Sequence, residues 1–350
     1  MTETSTNAAI VEQETSAKFV RTFAQLGKDM FEECGGKAAH LGELSKLSLN
    51  VPNGFSVLGK SYYHHVDANH LREQIDTIAA TLNPENFQDI ETKSQTIRDL
   101  IMGVPMPSEV DAEIRAGYEN LAQGKDAFVA VRSSVAIKDS PISSFPGMMD
   151  TFHYIRGAND VVAKVKECWA SVWSARAAFT RLNKHLEHNK AVIAPTIQLM
   201  VNSEIAGVLF TLNPINRSKD EIVIESNWGL GETVVSGRCS SDFYVLRKLC
   251  RNYGAKTCPE CPYEAVAVRE EKIANKVECC VGAEGGGRQW IKNSPEKAQQ
   301  PTLTAAQLHE LCRASCLIEE HYRIPQDIEW AFEGGRLYIL QTRRAKVGGA

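Results

Sequence analysis

No segment of this chain is apolar for long enough to cross a bilayer. The longest largely apolar run, Ala191 to Val201, is interrupted by proline, threonine and glutamine, whereas a spanning helix needs about 20 predominantly apolar residues. No basic stripe interleaved with aromatics occurs, and a formal net charge of -4 argues against a nucleic-acid partner. Met1 to Ser16 lacks the basic start and apolar centre of a signal peptide and reads as a disordered tail on a cytoplasmic protein. No Gly-x-Ser-x-Gly is present, which excludes a nucleophile elbow. No Gly-x4-Gly-Lys-Ser/Thr is present, which excludes a P-loop. His64, His65, His185 and His188 have no acidic ligand placed with them and read as exposed helix residues rather than a metal box. The ten cysteines are scattered, and Cys168, Cys312 and Cys316 sit inside periodic segments, as reduced core thiols do. Cys258 and Cys261 have zinc spacing, but the adjacent Cys279-Cys280 point to opposite faces of a strand and complete such a site poorly.

What remains is an ordinary globular composition, 43% hydrophobic and 23% charged over 350 residues, enough for two or three packed units. The pattern is mixed α+β. After the tail, 1-17, a first block is expected over 18-123. A Gly35-Gly36-Lys37 turn leads there into a helix from Ala38 to Leu47, a turn and strand follow at Val51 to Phe55, and a helix runs from Ser108 to about Leu121. A second block, 124-246, opens with the continuous apolar run Ala127 to Val131, a buried strand that ends at Arg132-Ser133-Ser134. A glycine- and serine-rich loop crosses Asp139 to Asp150. A long helix from Val161 to about Leu186, capped by Asn159 or Asp160, comes next. Strands are expected at Ile197 to Val201, Val208 to Thr211, Glu221 to Glu225 and Asp242 to Leu246. The third block, 247-350, begins irregularly. It then has a capping box, Thr304 with Gln307, starting a helix to about His321, and closes on a hairpin around Glu333-Gly334-Gly335.

Several positions have the chemistry to hold a phosphorylated ligand. On the hairpin, Asp327 and Glu329 share one strand face, as do Gln341 and Arg343. A turn that sets Asp327 opposite Gln341 would place carboxylates, amide and guanidinium on one side, a seat for Mg²⁺ and a polyphosphate. A plain hairpin with a polar outer face would look the same. Gly36-Lys37 at a turn-to-helix junction offers backbone N–H groups and a point charge to an anion. Arg132, at the carboxyl end of a buried strand, offers a bidentate fork to phosphate or an ion pair to a nearby acid. The loop Ser144 to Thr151 can fold over a nucleotide, with Gly147 admitting close backbone approach, or can simply dock two methionines on the core. Gln198 could read an adenine edge or face solvent.

Taken in order, these segments resemble one family. Gly35 to Leu44, Val51-Pro52-Asn53-Gly54-Phe55, Val131 to Ser134, Trp228-Gly229-Leu230-Gly231-Glu232, Asp242 to Val245, Gln326 to Trp330 and Gln341-Thr342-Arg343 are similar to the N-terminal ATP-binding domain of phosphoenolpyruvate synthase. Pyruvate, phosphate dikinase and rifampicin phosphotransferase share that domain. The resemblance covers Phe19 to Arg343 and implies an ATP-grasp fold that holds ATP and Mg²⁺. It implies phosphate contacts for Lys37, Arg132 and Arg343, a phosphate-covering loop containing Gly147 and Thr151, and Gln198 at the nucleotide. It further implies Mg²⁺ ligation by Glu329 and Gln341 with Asp327 beside them. Two departures fall on the phosphate-covering region. Gly147-Met148-Met149 stands where the synthases carry Gly-Gln-Gln, and Lys138 stands where they have a glutamate.

In the family the ATP-binding domain phosphorylates a histidine on a swivelling domain, which then visits an acceptor domain. The chain carries neither, so the expectation is a partner subunit bearing both, as in phenylphosphate synthase of anaerobic phenol degradation, with phenol as acceptor. A split phosphoenolpyruvate synthase with pyruvate as acceptor is the alternative, and a non-catalytic nucleotide-binding module is a second.

Overall fold

The computed structural model describes residues 17-136, 150-190, 192-248 and 267-346. Most of the expected tail, together with Lys138, Gly147, Cys258 and Cys261, lies outside those residues. Two compact units form, one from residues 1-43 and 53-200, the other from 44-52 and 201-350.

In the first unit the chain runs through β1 (Val20–Thr22), α1 (Phe31–Ser45), β2 (Gly54–Val57), α2 (Gly59–Ala68), α3 (Arg72–Ala80), α4 (Phe87–Gly103) and α5 (Ser108–Ala122). It continues through β3 (Phe128–Arg132), β4 (Thr151–Arg156), α6 (Ala158–Ser171), α7 (Ala175–Asn183) and β5 (Thr196–Leu199). The five strands form one antiparallel sheet in the order β1-β2-β5-β3-β4. Val129, Val131 and Ile197 point from it into a core shared with Ile97, Ile114, Val165 and Trp169. The helices therefore cover one face, and the alternate residues of β3 and β5 point to the other.

The expected boundary at 123/124 falls inside this unit, because β1 and β2 hydrogen-bond into the same sheet as β3. The long helix expected from Val161 is two. Ser174 interrupts it and caps α7, its side chain accepting from the Ala177 N–H. Neither Asn159 nor Asp160 caps α6; Gly157 does, with φ 88°, a conformation open to glycine at little cost.

The second unit holds β6 (Ile205–Phe210), β7 (Glu221–Trp228), α8 (Glu232–Val235), β8 (Asp242–Arg247), β9 (Ala267–Lys272), β10 (Glu278–Gly282), β11 (Arg288–Lys292), α9 (Pro295–Gln299), α10 (Ala305–Tyr322), β12 (Gln326–Glu333) and β13 (Arg336–Arg344). Six of the strands make an antiparallel sheet in the order β13-β12-β6-β7-β8-β9, and β10 pairs with β11 separately. The capping box starting α10 is present as expected. The stretch expected to be irregular, 247-301, contributes three strands. Lys276, in that stretch, is fully buried and donates from Nζ to Asp242 Oδ1 at 2.6 Å. Trp330 is also fully buried and lies opposite Gly207, where a Cβ would come within 2.6 Å of the indole. Among the described residues, no helix is long and apolar enough to cross a membrane.

Candidate nucleotide and metal site

On the open face of the first unit's sheet, cross-strand pairing sets the polar residues in rows. Arg132 lies opposite Thr196 on one side and Thr151 on the other, and Thr196 in turn lies opposite Ser56. Residues directly opposite share a face, so Arg132, Thr196, Ser56 and Thr151 project together. Gln198, two residues on from Thr196, joins them. Its Oε1 accepts from Arg132 Nη1 at 2.8 Å, so the amide oxygen orients the guanidinium. Among the described residues, the buried hydroxyls of Ser56 and Thr196 have no hydrogen-bond partner. An unsatisfied buried hydroxyl costs about 1–3 kcal/mol, and such groups on a face already bearing an arginine are suited to receive a polar ligand.

Lys37 reaches the same strand end. Gly35 sits at φ 72° within α1, breaking the helix so that a fresh turn begins at Gly36. A Cβ on Gly35 would lie 2.3 Å from Ser134 Oγ and 2.5 Å from the Val135 carbonyl oxygen, so only glycine lets the two segments meet. The Lys37 backbone N–H then donates to Ser134 Oγ at 3.1 Å, and its Nζ donates to the Ser133 carbonyl at 2.5 Å. Lys37 and Arg132 are thereby brought to one end of β3. Two cations with a restarted helix N-terminus make an anion-binding arrangement.

The second unit presents acids. On the terminal hairpin Asp327 lies opposite Arg343, and Glu329 lies opposite Gln341. Asp327 was expected opposite Gln341, so the pairing is displaced by two residues while the shared face is kept. The cause is local. Gly334-Gly335 form a two-residue turn, which alone would send Glu329 and Gln341 to opposite faces. A register shift between Glu329 and Trp330 makes Leu340 the extra residue of a β-bulge, and that bulge restores all four side chains to one side. Arg343 Nε donates to Asp327 Oδ2 at 2.7 Å, and Gln341 Nε2 donates to Glu329 Oε1 at 3.0 Å. Burial above all, with Glu329 nearby, pushes the Asp327 carboxyl above its ordinary range against the pull of Arg343. Two carboxylates crowded on a half-closed face, plus an amide whose oxygen a flip would present, are a hard-oxygen donor set that fits Mg²⁺.

One acid here escaped the sequence argument. Glu225 lies opposite Val208, which lies opposite Glu329, so it shares their face two strands away, roughly 10 Å across the sheet. Its place at the end of an alternating apolar strand was the available signal. Thr196 was likewise passed over. Among the described residues, no cluster of three or more His, Cys, Asp or Glu side chains could hold a metal by themselves. Cys279 and Cys280 are buried free thiols, each raised in pKa chiefly by burial.

The model of the pyruvate phosphate dikinase AMP/ATP-binding domain matches residues 31–350. A probable phosphoenolpyruvate synthase of Pyrococcus horikoshii is 36% identical over 363 aligned positions, covering 93% of this chain and 43% of that protein. The phosphoenolpyruvate synthase of Pyrococcus furiosus is 34% identical, covering 93% and 43%. A probable phosphoenolpyruvate synthase of Methanocaldococcus jannaschii is 35% identical, covering 94% of this chain and 27% of the relative. The chain thus spans less than half the length of these relatives. It belongs to the pyruvate phosphate dikinase AMP/ATP-binding domain family.

Proposed function

We propose that this chain performs the nucleotide half of a dikinase reaction. It binds ATP with Mg²⁺ and passes the β,γ-diphosphoryl unit to a histidine borne on a swivelling domain or partner subunit. The bond between the α-phosphorus and the α,β-bridging oxygen, or that oxygen and the β-phosphorus, lies between the two products; here the latter breaks. An imidazole nitrogen bonds to the β-phosphorus, and AMP leaves with the bridging oxygen. Water then releases orthophosphate, and the remaining phosphoryl group goes to a small acceptor. The observation that carries the proposal is the bulged hairpin, which gathers Asp327, Glu329, Gln341 and Arg343 on one face.

Lys37 and Arg132 hold phosphate oxygens, with Gln198 fixing the Arg132 fork. Glu329 and Gln341 would hold the metal, with Asp327 beside them, and Arg343 would neutralise the phosphoryl chain. Thr151, the first residue of β4, lies opposite Arg132, beside the phosphate oxygens that Arg132 holds. Bound Mg²⁺ would supply charge neutralisation at the phosphates, the main need of phosphoryl transfer. The preorganised cations supply the rest of the electrostatic stabilisation.

Pyruvate is the acceptor best supported, since the relatives matched along nearly the whole chain are named phosphoenolpyruvate synthases. Phenol was expected from the point at which the chain stops, and a chain shorter than half its relatives gives that point no weight. The test mixes the chain with a histidine-bearing dikinase fragment and ATP and follows AMP. AMP formation dependent on pyruvate and indifferent to phenol supports the reading. Formation dependent on phenol selects phenylphosphate synthesis. No AMP with either acceptor, despite ATP binding, rejects the transfer step.

A further inference from the structure

A cavity of about 600 Å³ lies in the second unit, walled by Lys46 to Asn50, one face of α10, and Leu337 and Ile339 of β13. Its volume is within the range of small-molecule sites, about 300–1,000 Å³. Leu337 and Ile339 lie opposite Phe332 and Trp330, on the sheet face turned away from Asp327, Glu329 and Gln341. The cavity is thus separated from the carboxylate face by the thickness of the sheet.

Its wall is fixed by the fold. Asn50 Nδ2 donates to the Leu337 carbonyl at 2.9 Å, and the Ile339 N–H donates to the Asn50 carbonyl at 2.9 Å. Arg336 Nη2 donates to Asn50 Oδ1 at 2.5 Å. Asn50 is therefore stitched to β13 and anchors the end of the 46-50 segment beside the cavity. The lining divides by chemistry. Leu47, Leu49 and Leu317 continue the apolar floor of Leu337 and Ile339, while Lys46 and Arg313 bring two cations and Glu310 one acid. Burial and the Arg313 charge push His309 below its ordinary range, so the positive character is carried by lysine and arginine. An arginine fork above an apolar floor matches a carboxylate, sulfonate or phosphate carried on a short apolar body.

We propose that this cavity is a second ligand site, for a small amphipathic organic anion, separate from the nucleotide and metal site. Lys46 and Arg313 would hold the anionic group, and Leu317, Leu337 and Ile339 would receive the apolar body. The site does not depend on the dikinase reading.

The probe is 1-anilinonaphthalene-8-sulfonate, an amphipathic anion whose fluorescence rises on transfer from water. The full chain should bind it saturably at one site, with no displacement by saturating ATP and Mg²⁺. Arg313→Gln should weaken that binding about tenfold, the loss of roughly one charge-assisted hydrogen bond. Ala306→Trp, at an exposed cavity-lining position, should plug the mouth and abolish it. ATP binding in Ala306→Trp should be unchanged, which shows that this variant is folded. Unaltered dye binding in both variants, or displacement of the dye by ATP and Mg²⁺, would overturn the proposal.

Discussion

Two carboxylates on the same six-stranded sheet are treated in opposite ways. Asp242, on β8, is fully buried and saturated. Its Oδ1 accepts from Lys276 Nζ and the Ala274 N–H, and its Oδ2 accepts from the Thr302 N–H and Thr302 Oγ1. Asp327, on β12, faces Arg343 in an ion pair whose arginine side chain is half exposed, and it shares its side of the sheet with Glu329. A carboxylate whose lone pairs are all taken by its own chain is architecture. One held beside a like charge, and raised in pKa by burial, has capacity left for a cation.

The matched pair of substitutions gives the largest contrast. Asp242→Asn leaves the buried Lys276 ammonium uncompensated and should cost about 3–5 kcal/mol. Asp327→Asn removes a charge already disfavoured in place and should change stability by less than about 1 kcal/mol. Urea unfolding of the two variants measures both, and equal losses would erase the distinction. Next in size is deletion of Leu340. Without the bulge residue, Gln341 and Arg343 exchange faces with their neighbours, so Mg²⁺-dependent ATP affinity should fall about a hundredfold, some 2.7 kcal/mol. Retained affinity would mean that the bulge places nothing of importance. A smaller effect is expected in the cationic cluster, where Arg132→Lys should lower ATP affinity about tenfold because a point charge replaces a fork oriented by Gln198. An isothermal titration reads that change, and an undiminished affinity would remove Arg132 from phosphate binding.

A further effect concerns pH. His188 accepts from Arg181 Nε at 3.0 Å, and burial, with the Arg181 charge, lowers its pKa to about 4. A histidine with a depressed folded pKa binds protons more readily when unfolded. Its contribution is therefore complete above the ordinary value near 6.5 and declines as pH falls from there towards 4. The urea midpoint should drop over that window in the wild type and drop less in His188→Gln. Identical slopes would refute the assignment.

How legible these features were depended on how local their causes are. The box of Thr304 and Gln307 is written in four residues, and α10 begins there. The apolar run ending at Arg132 is a strand because nothing polar interrupts it. The shared face of Asp327, Glu329, Gln341 and Arg343 was readable from period-two alternation, while their pairing was not, since the displaced residue, Leu340, is one apolar residue among several. Strand β11 was hidden because its sequence, Arg288–Lys292, is largely exposed and lacks clean alternation. The break at Ser174 was missed because its neighbours are all tolerated in helices, and only the cap it forms reveals it. The division into units was out of reach for a different reason. Leu44–Pro52 leaves the first unit and joins the second before the chain returns, a long-range pairing through Asn50 that no local pattern announces.

The central claim is that the bulged hairpin face takes a divalent cation together with ATP. Calorimetric titration of ATP into the wild type and Glu329→Gln, each with and without Mg²⁺, tests it most directly. The account predicts that Mg²⁺ strengthens ATP binding in the wild type and that this gain disappears in Glu329→Gln, with metal-free binding preserved. A gain of equal size in both proteins would contradict it.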